Sequence, residues 1–171
     1  MMASDYPPTI FVLGTQRHVD KTVTSVGVIA KLLSPDYGYT VDEIGYIKPV
    51  GQQAVQVTNP DGQALSVDKD AVLVTSLLGL QVPRYEITSP VIWHSGLTAD
   101  FIDDQIGLNP QMSPDHFMQH IRRCYEQVAE GKKVVVVEGT GQPGVGSVGG
   151  ISNGDVINLL REMGVPLYVL L

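Results

Sequence analysis

Two lysines, a threonine and several carboxylates stand where they could handle phosphate. Lys21-Thr22 closes the segment Gly14-Thr15-Gln16-Arg17-His18-Val19-Asp20-Lys21-Thr22, which lies between a short apolar run and a helical pattern. In a loop so placed, successive backbone N–H groups and the helix N-terminus surround an anion. The lysine then reaches the outer phosphates and the threonine hydroxyl takes Mg²⁺. The candidate cofactor-binding residues are Gly14, Thr15, Val19, Asp20, Lys21 and Thr22 of this loop, with Gly139 from a later one. The usual spacing of four residues between the two glycines does not fit. A five-residue variant fits if Asp20 stands where the second glycine belongs. A side chain there crowds the phosphate. Its charge adds roughly 1–4 kcal/mol of repulsion at a few ångströms in a partly wet site. The plain alternative is that Lys21 and Thr22 only start a helix.

Further along, Gly45-Tyr46-Ile47-Lys48-Pro49-Val50-Gly51 sets Lys48 at the end of a strand pattern. That position points into the same crevice as the first loop, or else leaves an ordinary exposed lysine. Glu138-Gly139-Thr140-Gly141 follows a run of four valines. A carboxylate held rigidly there suits Mg²⁺ beside phosphate, and a capping role is the alternative. Asp70, with Asp68 beside it, is either a second metal carboxylate or an acid favoured by a helix N-terminus. Arg17 and His18 could meet a phosphate or face solvent. His116 and His120 have the i, i+4 spacing of a metal pair, but no third ligand stands near them in sequence, which favours an exposed helix face. Cys124 falls on an apolar helix stripe and reads as a small core residue. Trp93-His94 could line a pocket or an oligomer contact.

Elements must bring these residues together. Thr9–Leu13 reads as a buried strand and Thr22–Leu33 as a helix. Val41–Val50 reads as a second strand, and Gln52–Gln63 as a polar stretch with a turn at Asn59-Pro60-Asp61-Gly62. A helix is predicted over Asp68–Leu78, and Arg84–Leu97 has no assignable pattern. Ser113-Pro114-Asp115 opens a helix running to Gly131, with Ser as cap and Pro at the first helical position. Lys133–Gly139 is the strongest strand, because four successive valines imply burial on both faces. A glycine-rich loop spans Gly139–Gly150, a helix Ser152–Met163, and a final buried strand Val165–Leu171. Ending on a strand predicts a single domain over residues 1–171 cut at its carboxyl end. Strands alternating with helices predict an α/β fold of three layers, a mostly parallel sheet with helices on both faces.

Charge and composition narrow the function. A net charge of −7 with no basic run argues against a nucleic-acid surface. The apolar runs are strand-sized, so no membrane span is expected. The start, Met1–Pro8, has no basic segment leading into an apolar stretch and predicts no secretory signal. One cysteine permits no intrachain disulfide. A soluble cytoplasmic protein is the expectation.

The order of motifs resembles the dethiobiotin synthetase family: a phosphate loop, Lys48-Pro49-Val50 after the second strand, Asp70 at a helix start, then Val-Val-Val-Glu138-Gly139 and a glycine-rich loop. It also resembles the ATP-dependent cobyrinate amide synthases and the amino-terminal domain of long phosphate acetyltransferases. The similarity runs from Ile10 to Leu171. It implies a P-loop NTPase-like fold that binds ATP and Mg²⁺. Lys21 and Lys48 then act as catalytic lysines on the transferred phosphoryl group, and Thr22, Asp70 and Glu138 hold the metal. It implies a small carboxylate or carbamate substrate, phosphorylated before closure or amidation, and a homodimer. It also implies an adenine-contacting segment beyond the final strand. Asp20 departs from the family pattern, and Gly141–Ser147 looks closer to the relatives than to dethiobiotin synthetase itself. The alternative is a non-catalytic binding, regulatory or scaffold domain of the same fold.

Overall fold

The computed structural model describes residues 4–14, 20–59, 61–81, 84–94, 96–102, 113–141 and 144–171, with only the backbone of residues 100–102. Four strands form a parallel sheet in the order β2-β7-β1-β8: β1 (Thr9–Val12), β2 (Ile44–Ile47), β7 (Val134–Glu138) and β8 (Leu167–Leu170). The valines of β7 explain why this sheet is covered twice. Side chains alternate along a strand, so Val135 and Val137 enter one core while Val134 and Val136 enter the other. The first core packs under α5 (Pro114–Ala129) and α6 (Asn153–Glu162), through Phe117, Ile121, Val156 and Leu160. The second packs under α1 (Lys21–Leu33) and α2 (Lys69–Leu78), through Ile29, Ala71 and Val74. Helix, sheet and helix make the three layers expected from the sequence.

Local chemistry sets the helix ends. Ser113 Oγ accepts the His116 N–H at 3.2 Å, with Pro114 in the first turn of α5. Ser152 and Asp155 exchange hydrogen bonds in a capping box that starts α6. Gly79 ends α2 in the left-handed region at φ 64°.

Three expectations are corrected and one unassigned segment is resolved. Val41–Val50 is not one strand. Thr40 and Glu43 cap a 3₁₀ turn over Val41–Glu43, β2 keeps only Ile44–Ile47, and β3 (Val50–Gly51) leaves after Pro49 to pair with β6 (Val91–Ile92). Pro49 supplies no N–H to continue the ladder. The polar stretch from Gln52 and the predicted start of the next helix share an antiparallel hairpin, β4 (Ala54–Thr58) with β5 (Ala64–Asp68). The predicted turn joins them: Asn59 N–H donates to Gln63 O at 2.9 Å, and Gly62 adopts φ 80°. The unassigned Arg84–Leu97 contains the short helix α3 (Tyr85–Thr88) as well as β6, and α4 (Leu97–Ile102) begins at its end. The final strand pairs in parallel with β1, Thr9 opposite Leu167, but it is not buried. Tyr168, Val169 and Leu170 are exposed.

Candidate functional site

Register brings the chemistry to one end of the sheet. Val12 lies opposite Glu138, and Ile47 opposite Val137. Lys48, the next residue after Ile47, therefore comes level with Glu138. Thr22 arrives from the first turn of α1, and Asp68 and Asp70 from the start of α2. These positions lie beyond the carboxyl ends of parallel strands, where ligands of open α/β sheets bind.

Lys48 is the centre of the arrangement. Its buried ammonium lies 3.0 Å from Asp68 Oδ1 and 3.2 Å from Glu138 Oε1, and it also contacts Asp70 Oδ2. Burial alone lowers a lysine's pKa. Here Glu138 and Asp68, then Asp70, outweigh it and hold Lys48 above the ordinary lysine range. Glu138 is fully buried and both its oxygens are used. Oε1 accepts the Thr22 hydroxyl at 2.9 Å as well as Lys48, and Oε2 accepts the Tyr46 hydroxyl at 2.9 Å. Burial, then the Glu138 charge, pushes the Tyr46 phenol well above its usual pKa.

Asp68 organises the opposite wall. Its Oδ2 accepts the Gln52 N–H at 2.8 Å and the Gln53 N–H at 3.1 Å, while Oδ1 accepts the Asp70 N–H at 2.9 Å as the cap of α2. Gly51 lies directly against it: a Cβ there would come 2.4 Å from Asp68 Cβ. Lys21 crosses from α1 and donates to Gly141 O at 3.0 Å. Desolvation, then the nearby Lys48 charge, lowers its pKa.

A cavity of about 680 Å³ opens over these groups. Asp20, Lys21, Thr22, Lys48, Asp70 and Glu138 line it, together with Trp93, His94, Thr98 and the loop Gly144–Val148. Trp93 and His94 therefore belong to a pocket wall, one of the two alternatives the sequence left open. Trp93 is fixed there by its indole N–H on Thr98 Oγ1 at 3.0 Å and by an edge contact with Phe117.

Thr15 and Val19, with Arg17 and His18, lie outside the described residues. Gly14 is buried. Gly139 is walled in, since a Cβ there would come 2.9 Å from both Asn153 Oδ1 and Leu13 Cδ2. Neither glycine lines the cavity. Asp20 is exposed, with φ −65°, a value open to any residue, and it makes no ion pair among the described residues. Cys124 sits in the core as predicted, its thiol pushed up to about 11 by burial, 3.8 Å from His120 Nδ1.

Sequence reasoning missed Tyr46 and Gln52 and undervalued Asp68. Tyr46 was within reach, because residues two apart on a strand share a face and Lys48 already marked that face. Asp68 was legible as a helix cap. Its second role, tying Gln52 and Gln53 into the site, depends on the hairpin.

Among the described residues no three His, Cys, Asp or Glu side chains form a metal-holding group. The pairing of the Thr22 hydroxyl with Glu138 still fits Mg²⁺, which takes one or two carboxylates and fills the rest of its shell from phosphates and water.

The sheet, the lysine and threonine at the first turn of α1, and the carboxylate ending β7 define an α/β domain of the P-loop NTPase class. Residues 8–165 match the family described as AAA domain, and the chain belongs to that family. It is similar to the ATP-dependent dethiobiotin synthetase BioD of Janthinobacterium sp. (strain Marseille), with 26% identity over 159 residues. The match covers 93% of this chain and 61% of that protein, so the chain spans about three fifths of its relative's length. Among the described residues no helix is long and apolar enough to cross a membrane.

Proposed function

We propose that the chain binds Mg·ATP beside Lys21 and Thr22 in the cavity and transfers the terminal phosphoryl group to a small carboxylate or carbamate. The observation that carries this reading is the meeting of Thr22, Lys48 and Glu138 beyond the ends of β1, β2 and β7. A carboxylate oxygen of the substrate attacks the terminal phosphorus, the bond to the bridging oxygen breaks, and ADP leaves. The product is an acyl phosphate ready for closure or amidation. Lys21 and Lys48 oppose the charge on the transferred group, and Thr22, Asp70 and Glu138 would hold Mg²⁺, which would supply charge neutralisation to the phosphates. Trp93, His94 and Thr98 hold the substrate. Such a protein works in the cytoplasm as a homodimer, without a nucleic-acid or membrane partner.

One observation favours the second reading, a binding or regulatory domain without turnover. Lys48 is engaged by three carboxylates and Lys21 by a backbone carbonyl. Calorimetric titration of Mg·ATP separates the two. Under the synthetase reading the wild-type chain binds at micromolar levels, and Asp20→Gly binds equally well or better. If only Asp20→Gly binds, the natural chain is a non-catalytic member. No binding by either variant removes the synthetase reading.

A further inference from the structure

The oxygens that a metal would need are the ones Lys48 already holds. Glu138 Oε1 faces the Thr22 hydroxyl at 2.9 Å, and the same atom lies 3.2 Å from Lys48 Nζ. The other Glu138 oxygen is committed to Tyr46. On Asp70 it is again the Lys48 contact, Oδ2, that faces the nest. An ammonium and a divalent ion on these same atoms repel each other at contact distance, so the two compete for the nest. Without Lys48, three carboxylates, two of them almost fully buried, would face one another unpaired.

We infer that Lys48 is the resident cation of this nest, and that a divalent ion enters by displacing its ammonium into the cavity. The lysine is then freed toward the phosphate side only when the metal is in place. Metal occupancy and the availability of Lys48 become one event. Lys48 lines the cavity, so the displaced side chain has open space to enter. The inference rests on the metal-side reading of Thr22, Asp70 and Glu138 in the proposed function. It does not depend on ATP turnover.

The test is Mn²⁺ binding to the whole chain without nucleotide, followed by electron paramagnetic resonance, in wild type, Lys48→Met, Lys48→Gln and Lys69→Met. Lys69 is exposed at the cavity rim and controls for the loss of any nearby positive charge. Wild type binds weakly. Either Lys48 variant binds tighter, by on the order of tenfold to a thousandfold, because no ammonium must leave. Lys69→Met stays within about threefold of wild type, as a screened surface charge should. Equal affinity in wild type and the Lys48 variants overturns the inference, and so does an equal gain in Lys69→Met. If neither Lys48 variant folds in chelator, wild type labelled with ¹⁵N-lysine decides the matter. The Lys48 ammonium resonance must move as Mg²⁺ is raised through the millimolar range, and a fixed resonance overturns the inference. Failure of Mg·ATP to bind while these results hold sinks the synthetase reading and leaves the exchange standing.

Discussion

Gly51 shows how closely the site is fitted at the scale of single residues. Its Cα sits against Asp68, which at once accepts two backbone N–H groups, caps α2 and pairs with Lys48. A methyl group at position 51 cannot be accommodated by a flexible side-chain end, because the atom it meets is Asp68 Cβ. Gly51→Ala should therefore cost about 1–3 kcal/mol in urea unfolding, the usual range for overpacking. A cost near zero would mean that Asp68 is not fixed as described. Asp20 illustrates the opposite case. Its residue type looked prohibitive in a phosphate loop, yet its φ of −65° is open to any residue and its side chain is exposed. Its charge, rather than its backbone, is what a bound phosphate would meet.

At the scale of elements, α6 reaches the site through its first turn. Asn153 clamps the Thr140 peptide from both sides: its Oδ1 accepts the Thr140 N–H at 2.9 Å, and its Nδ2 donates to Thr140 O at 3.2 Å. That clamp fixes the chain two residues after Glu138. The capping box of Ser152 and Asp155 holds the same turn. Ser152→Ala should destabilise the fold by about 1 kcal/mol, the usual worth of a cap. Hydrogen exchange should show faster opening at Thr140 together with the start of α6, and protection unchanged at Thr140 would disprove the link. The capping Ser113 with Pro114 made the start of α5 readable in advance, and the spans of α2 and α6 were also predicted. The β4–β5 hairpin was not read, because its strands are short and largely exposed, although Val55 and Val57 and then Leu65 and Val67 alternate with polar residues on either side of the turn.

Across the whole molecule, the two cores are tied by the sheet, and one buried phenol reports on that tie. Tyr125 of α5 hydrogen-bonds Thr9 of β1 at 2.7 Å, and burial raises its pKa to about 12. A pKa raised in the folded state means that the folded protein keeps its proton longer than the unfolded chain. The stabilisation is thus complete below about pH 10 and is lost as pH rises toward about 12. Tyr125→Phe should flatten the decline of stability over that window, by roughly 2–3 kcal/mol in total. An equal loss of unfolding free energy between pH 9 and 11 in wild type and Tyr125→Phe, measured by denaturant titration, would refute the assignment.

The sequence alone determined the layers, the parallel sheet and the identity of Lys21, Thr22, Lys48, Asp70 and Glu138 as candidates. Those features rest on local signals: valine runs, helix caps, and a lysine or carboxylate at a strand end. Only the tertiary structure decided that Lys48 sits among three carboxylates, that Tyr46 fixes Glu138 and that Trp93 and His94 wall the cavity. It also showed the last strand exposed where its apolar run predicted burial. Each of these depends on strand register and on segments distant in the chain, and no window of sequence contains both partners.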